Sequence, residues 1–212
     1  MARKRKKPGI CSICGKQDLL SFEHVPPKAA FNKETFVEYT VEERITKKSI
    51  KGRRRQGGMG KHTLCEVCNN NTGSWYGNEY VKWAKIGDDL IRKQTKTKAE
   101  GYEVTLYNVY PLRFLKQIVT CFFSEQGEYT PAFSQNNPDL VKFVLEKENT
   151  QLSSGFRFFM NLYPRLQRTA LRRYPIAGRI PIRWNTNTGE IVAQGAYIFS
   201  EITHPPFQLL MT

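Results

Sequence analysis

Two cysteine pairs, Cys11-x-x-Cys14 and Cys65-x-x-Cys68, constrain this chain more than any other feature. A two-residue spacer lets one tight turn aim both sulfurs at the same point, and two such pairs complete a tetrahedral four-thiolate site of the kind that holds Zn²⁺. The ion would close a loop of about fifty residues, and its binding free energy would itself be folding free energy for that loop. Four sulfur ligands leave no open position, so the expected zinc is structural and any catalysis must come from other groups. An odd cysteine count with four thiols in metal-site spacing fits a reducing compartment, and a cytoplasmic location is expected. The fifth, Cys121, stands beside Phe122 and Phe123 on a predicted helix and reads as a buried small hydrophobe.

Charge narrows the partner. With 33 Lys and Arg against 19 Asp and Glu, the net charge of +14 calls for a polyanion, either nucleic acid or an anionic membrane surface. No run of eighteen apolar residues is present, and Arg3-Lys4-Arg5-Lys6-Lys7 has no apolar stretch behind it, so neither a membrane span nor a secretory signal is expected. The first 70 residues hold 16 basic and 7 acidic side chains, together with all four paired cysteines. The metal site and the polyanion-binding charge therefore share one segment. We divide the chain into a basic arm (1–10), a metal-stapled module (11–95) and an α+β region (101–212) for substrate engagement, oligomerisation or partner docking.

Residue patterning predicts an α+β fold with antiparallel strands. A strand is expected within Phe36–Ile45, a mobile basic loop over Lys47–Lys61, and a helix from Tyr76 to Lys93, where Gly87 is a flaw. Further on, strands are expected at Tyr102–Tyr110, Phe156–Tyr163, Arg179–Trp184 and Ile191–Glu201, the last two forming a hairpin. Helices are expected to start at Pro111 and Pro138.

Chemistry-bearing residues flank the cysteines. Glu23-His24-Val25-Pro26-Pro27 follows Cys14 by nine residues, and Asn69-Asn70-Asn71 follows Cys68 directly. A carboxylate and an amide oxygen are hard ligands suited to Mg²⁺ or Mn²⁺, and an imidazole titrating near neutrality suits a general base acting on water. Asn70 either helps hold the cation or caps the following helix. Lys28, Arg53, Arg54 and Arg55 are candidate phosphate contacts, and His62 is either a further contact or a loop brace. Trp75 and Tyr76 read as core, and His204 as structural.

These three ordered elements, Cys11/Cys14, Glu23-His24-Val25-Pro26-Pro27 and Cys65-Glu66-Val67-Cys68-Asn69, resemble the zinc-stapled branch of the HNH, or ββα-metal, endonucleases over residues 11–85. The resemblance implies a zinc-stapled ββα-metal module with a β-hairpin carrying His24 and a helix starting near Asn69. It implies that Glu23 and Asn69 bind the catalytic cation, that His24 is the general base, and that the products carry 5′-phosphate and 3′-hydroxyl ends. The family's middle Asn, which braces the loop carrying the base, would fall near Gly60, where the chain reads Met59-Gly60-Lys61-His62. Either His62 or a backbone group braces the loop, or the alignment slips. The expected function is a metal-dependent endonuclease acting on nucleic acid, DNA before RNA, with anti-phage defence as a setting by analogy and a regulatory partner or self-association as restraint. The competing expectation is a non-catalytic zinc module that binds nucleic acid.

Overall fold

The computed structural model describes residues 5–38, 53–97, 103–126, 133–163, 173–180, 183–184, 191–192 and 197–212. Strands β1 (Lys7–Ile10) and β2 (Gln17–His24) run antiparallel, joined by the turn that carries Cys11 and Cys14. Part of the segment read as a basic arm is thus a strand, and Lys6 beside it pairs with Glu66 at 2.6 Å. A short ribbon follows, β3 (Phe36–Glu38) against β4 (Arg53–Arg55). The rest of the strand expected up to Ile45, and the first part of the expected basic loop, lie outside the described residues.

Strand β5 (Gly60–Cys65) pairs with β2 to complete the order β1-β2-β5. Its register runs from Leu20 opposite Cys65 to His24 opposite Gly60, with a bulge that sets His62 and Thr63 against Phe22. Gly60 is required by close approach: a Cβ there would lie 2.1 Å from the Glu23 carbonyl oxygen. Directly after Cys65 the chain turns helical. Helix α1 (Glu66–Thr72) begins three residues before Asn69, widens into a π turn at Gly73–Gly77, and continues as α2 (Asn78–Thr97). The flaw at Gly87 has a packing reason, since a Cβ there would come 2.9 Å from the Phe207 ring.

Glu103–Tyr110 is an irregular connector where the sequence predicts a strand. Its alternation of apolar and polar residues has no sheet to face, and Tyr107 and Tyr110 stay exposed. The Tyr110 amide donates to Glu79 Oε1 at 2.8 Å, delivering the chain to α3 (Pro111–Gln126). Helices α4 (Phe133–Asn136) and α5 (Pro138–Leu145) come next. The remaining strands are β6 (Phe158–Leu162), β7 (Arg173–Ile180), β8 (Arg183–Trp184), β9 (Ile191–Val192), β10 (Tyr197–His204) and β11 (Phe207–Met211). The predicted hairpin is present in two parts, β8 with β9 and β7 with β10, and the larger sheet has the antiparallel order β6-β11-β10-β7.

Helix α3 organises the interior. Every residue from Lys116 to Glu125 is buried, as expected for a helix apolar on more than one face. Val119 and Phe123 join Cys11, Leu20, Leu64, Cys68 and Tyr76 in one core. Phe114, Ile118, Cys121 and Phe122 join Val25, Tyr80, Ala84, Phe207 and Leu209 in the other. Residues 11–95 and 101–212 thus contribute to both cores. Truncating a side chain as buried as Phe122 or Phe123 costs about 3–5 kcal/mol. Trp83 of α2 stacks on Phe114 of α3 with ring centroids 4.6 Å apart, and Lys61 of β5 pairs with buried Glu125 of α3 at 3.0 Å. No helix among the described residues is long and apolar enough to cross a membrane.

Candidate functional site

The four paired cysteines converge. Their sulfurs all lie within 4.8 Å of one another, so the cluster can hold a metal ion such as zinc. A Zn–S bond of about 2.3 Å puts tetrahedral sulfurs roughly 3.8 Å apart, close to the 4.0 Å between the Cys14 and Cys65 sulfurs. The turn is held to β5, with the Ser12 amide and hydroxyl both donating to the Thr63 carbonyl at 2.8 and 3.0 Å. The Cys68 thiol donates to Cys11 and holds Cys11 down at about 4, so the cluster already favours a thiolate.

Above this cluster lies a cleft of about 350 Å³ whose lining includes Glu23, His24, Lys28 and Asn69. Glu23 projects from the end of β2 into a buried position, where it accepts hydrogen bonds from the Thr63 hydroxyl and, at 3.3 Å, from the Leu64 amide. Burial pushes its carboxyl up to about 8, against the pull of the Thr63 and Ser124 hydroxyls and the Leu64 amide. Asn69, in the first turn of α1, donates from Nδ2 to the Ser21 hydroxyl at 2.9 Å, which leaves Oδ1 as its acceptor end. Glu23 and Asn69 therefore offer an oxygen donor set, which fits a hard cation better than a soft one.

His24 is set by its neighbours. Its Nε2 lies 3.0 Å from the Gly57 carbonyl, which can only accept, so we assign the ring proton to Nε2 and the basic lone pair to Nδ1. The Phe22 ring meets the imidazole edge-on at 5.0 Å.

The loop carrying this histidine is tied down by a residue absent from the sequence reading. Asn32 is buried, donates from Nδ2 to the carbonyls of Pro26 and Met59 at 2.6 and 2.7 Å, and accepts from the Met59 amide at 2.6 Å. One amide thus joins the segment after His24 to the segment that supplies the Gly57 carbonyl. His62 packs against Phe22, with ring centroids 5.3 Å apart. The available signal was an asparagine eight residues after His24, on the far side of the loop from where a brace was sought.

Other candidates are less concentrated. Lys28 is exposed at the cleft, and Arg54 and Arg55 are exposed on β4, while the Arg53 side chain lies outside the described residues. Asn70 is exposed and does not line the cleft. The second sequence region supplies a wall that composition did not announce: Gln117, Thr120, Cys121 and Ser124 of α3. The π turn supplies Gly73 and Gly77, a helix irregularity of a type frequent at functional sites. Compared with family models, curated proteins and solved structures, the chain matches none.

Proposed function

We propose that the chain is a metal-dependent endonuclease of the HNH type, hydrolysing phosphodiester bonds in nucleic acid, and that its four cysteines hold a structural zinc. The observation that carries this reading is the meeting of Glu23, His24 and Asn69 in one cleft, from the end of a strand and the first turn of the helix after its partner strand. In this reading Glu23 and Asn69 hold Mg²⁺ or Mn²⁺. A cation bound there would supply charge stabilisation to the phosphate and the departing oxygen.

The chain's own groups do the rest. His24 takes a proton from the attacking water at Nδ1, and the Gly57 carbonyl accepts a stronger hydrogen bond from the imidazolium that results. A cation beside Glu23 favours the ionised carboxylate that burial alone disfavours. Lys28, Arg54 and Arg55 add positive field for the phosphate backbone, and the net charge of +14 steers a polyanion toward the protein. Reduced thiols in a metal cluster suit the cytoplasm. DNA is favoured over RNA by family habit.

The test is incubation of the purified protein with supercoiled plasmid and with single-stranded RNA, in Mg²⁺ or Mn²⁺ and against EDTA. Metal-dependent cleavage that disappears in His24→Ala supports the reading. Cleavage absent with every metal and substrate rejects it in favour of a zinc-containing nucleic-acid binder.

A further inference from the structure

We propose that Gln117 is a positioning residue for the cation of this cleft, accepting hydrogen bonds from the ion's water shell from the α3 wall. The inference rests on the cation site of the proposed function and assigns a role to a residue outside the resembling segment.

Polar groups on a helix as buried as α3 must find partners, since unpaired buried polar atoms are uncommon and each calls for a reason. Lys116 donates to the carbonyls of Glu146 and Lys147 at 2.7 and 2.9 Å, and Thr120 donates to the Lys116 carbonyl at 2.9 Å. Glu125 is paired with Lys61, while the Ser124 hydroxyl, which can donate as well as accept, has no hydrogen-bond partner among the described residues. Gln117 is the second orphan on this helix, and its oxygen can only accept. Its side chain is 94% buried, at 6% relative exposure, and its Oε1 has no hydrogen-bond partner among the described residues. Nε2 contacts the Cys121 sulfur one turn along the same helix at 3.9 Å, which orients the amide. The residue lines the cleft beside Gly77, where a Cβ would come to 3.8 Å from Oε1.

An orphan acceptor needs a donor. The cleft it lines also holds the Glu23 carboxyl, Asn69 Oδ1 with its Nδ2 already used, and Thr120 Oγ1 with its hydrogen already given, with Lys28 and the Ser124 hydroxyl as donors. Grouped acceptor oxygens attract the waters of a small hard cation, which Mg²⁺ retains on binding. With Glu23 and Asn69 as two of six ligands, the remaining four waters need roughly 120 Å³ at about 30 Å³ each, and the cleft offers about 350 Å³.

The experiment is Mn²⁺ titration of the full-length, zinc-loaded protein without nucleic acid, read by loss of the free-ion EPR signal, for the parent, Gln117→Leu, Gln117→Met and Gln117→Glu. The apolar variants are expected to bind Mn²⁺ about tenfold more weakly, the usual scale for an outer-shell partner. Zinc content and melting temperature should stay unchanged, and Gln117→Glu, which keeps an oxygen acceptor, should bind at least as tightly as the parent. Two apolar replacements guard against one that misfolds. The inference is overturned if both apolar variants bind within about twofold of the parent, if Gln117→Glu is as weak as they are, or if the parent binds no Mn²⁺. Ion binding that follows Gln117 without any cleavage would sink the nuclease reading and leave this one standing. A working nuclease indifferent to Gln117 would do the reverse.

Discussion

Removing the Asn32 amide is the sharpest test of how the loop is held. In Asn32→Ala three short hydrogen bonds disappear, two to the carbonyls of Pro26 and Met59 and one from the Met59 amide. At about 1 kcal/mol net each they amount to about 3 kcal/mol, and leaving a buried amide without an acceptor adds about 1–2 more. Met59 is itself 1% exposed, so water cannot take over. The expected loss, about 4–5 kcal/mol, is a large part of a typical domain's stability of about 5–15. With a urea m-value of about 2 kcal/mol per M, the unfolding midpoint should fall by about 2 M. Trp75 and Trp83 provide the fluorescence signal, and exposed Asn70→Ala serves as a control expected to cost about 0.5 kcal/mol or less. Asn32→Asp should not rescue, because it keeps the bond from Met59 but turns two donors into acceptors facing carbonyls. A midpoint shift equivalent to less than about 1 kcal/mol, or an Asp variant as stable as the parent, would refute the assignment.

Three further outcomes follow from the geometry. Serine at Cys11, Cys14, Cys65 or Cys68 should abolish stoichiometric zinc in elemental analysis and remove the cooperative melt, because the cluster anchors one of the two cores. Gly60→Ala should cost more than about 2 kcal/mol in thermal denaturation, the scale of overpacking a site that cannot yield, since its new Cβ would meet the Glu23 carbonyl. Glu23 gives a pH signature in cation-free buffer: its carboxyl is raised from 4.5 to about 8 in the fold, so over that window the folded state keeps a proton the unfolded state has released. Stability should therefore decline from pH 4.5 to 8, and urea unfolding at several pH values should show Glu23→Gln with a shallower decline. A parallel pH profile for the two proteins would contradict the assignment.

What could be read in the sequence was what sits in short-range spacing. The cysteine pairs and the prolines opening α3 and α5 each announce themselves within a few residues, and the structure places them as read. The bracing amide did not, because Asn32 acts through backbone atoms 6 and 27 residues away and no local pattern marks a buried asparagine. Strand β7 was hidden by Pro175 and Gly178, both poor strand formers, and β11 by its shortness behind Pro205-Pro206. The strand expected at Tyr102–Tyr110 failed for the opposite reason: alternation is a local property, whereas a strand needs a neighbour to bond to. The cleft wall on α3 lay beyond sequence logic, since it depends on which side of a doubly buried helix meets β2 and α1.

That shared helix bears on how such a molecule could be dismantled or controlled. A fragment ending near residue 97 would keep the four paired cysteines together with Glu23, His24 and Asn69, yet it would lack one side of the cleft and leave Tyr76 and Tyr80 without their packing partners. The side chains proposed for catalysis and the cavity they line are thus separable. A proteolytic nick or an inhibitor that displaced α3 would open the cleft while leaving each of those side chains chemically intact.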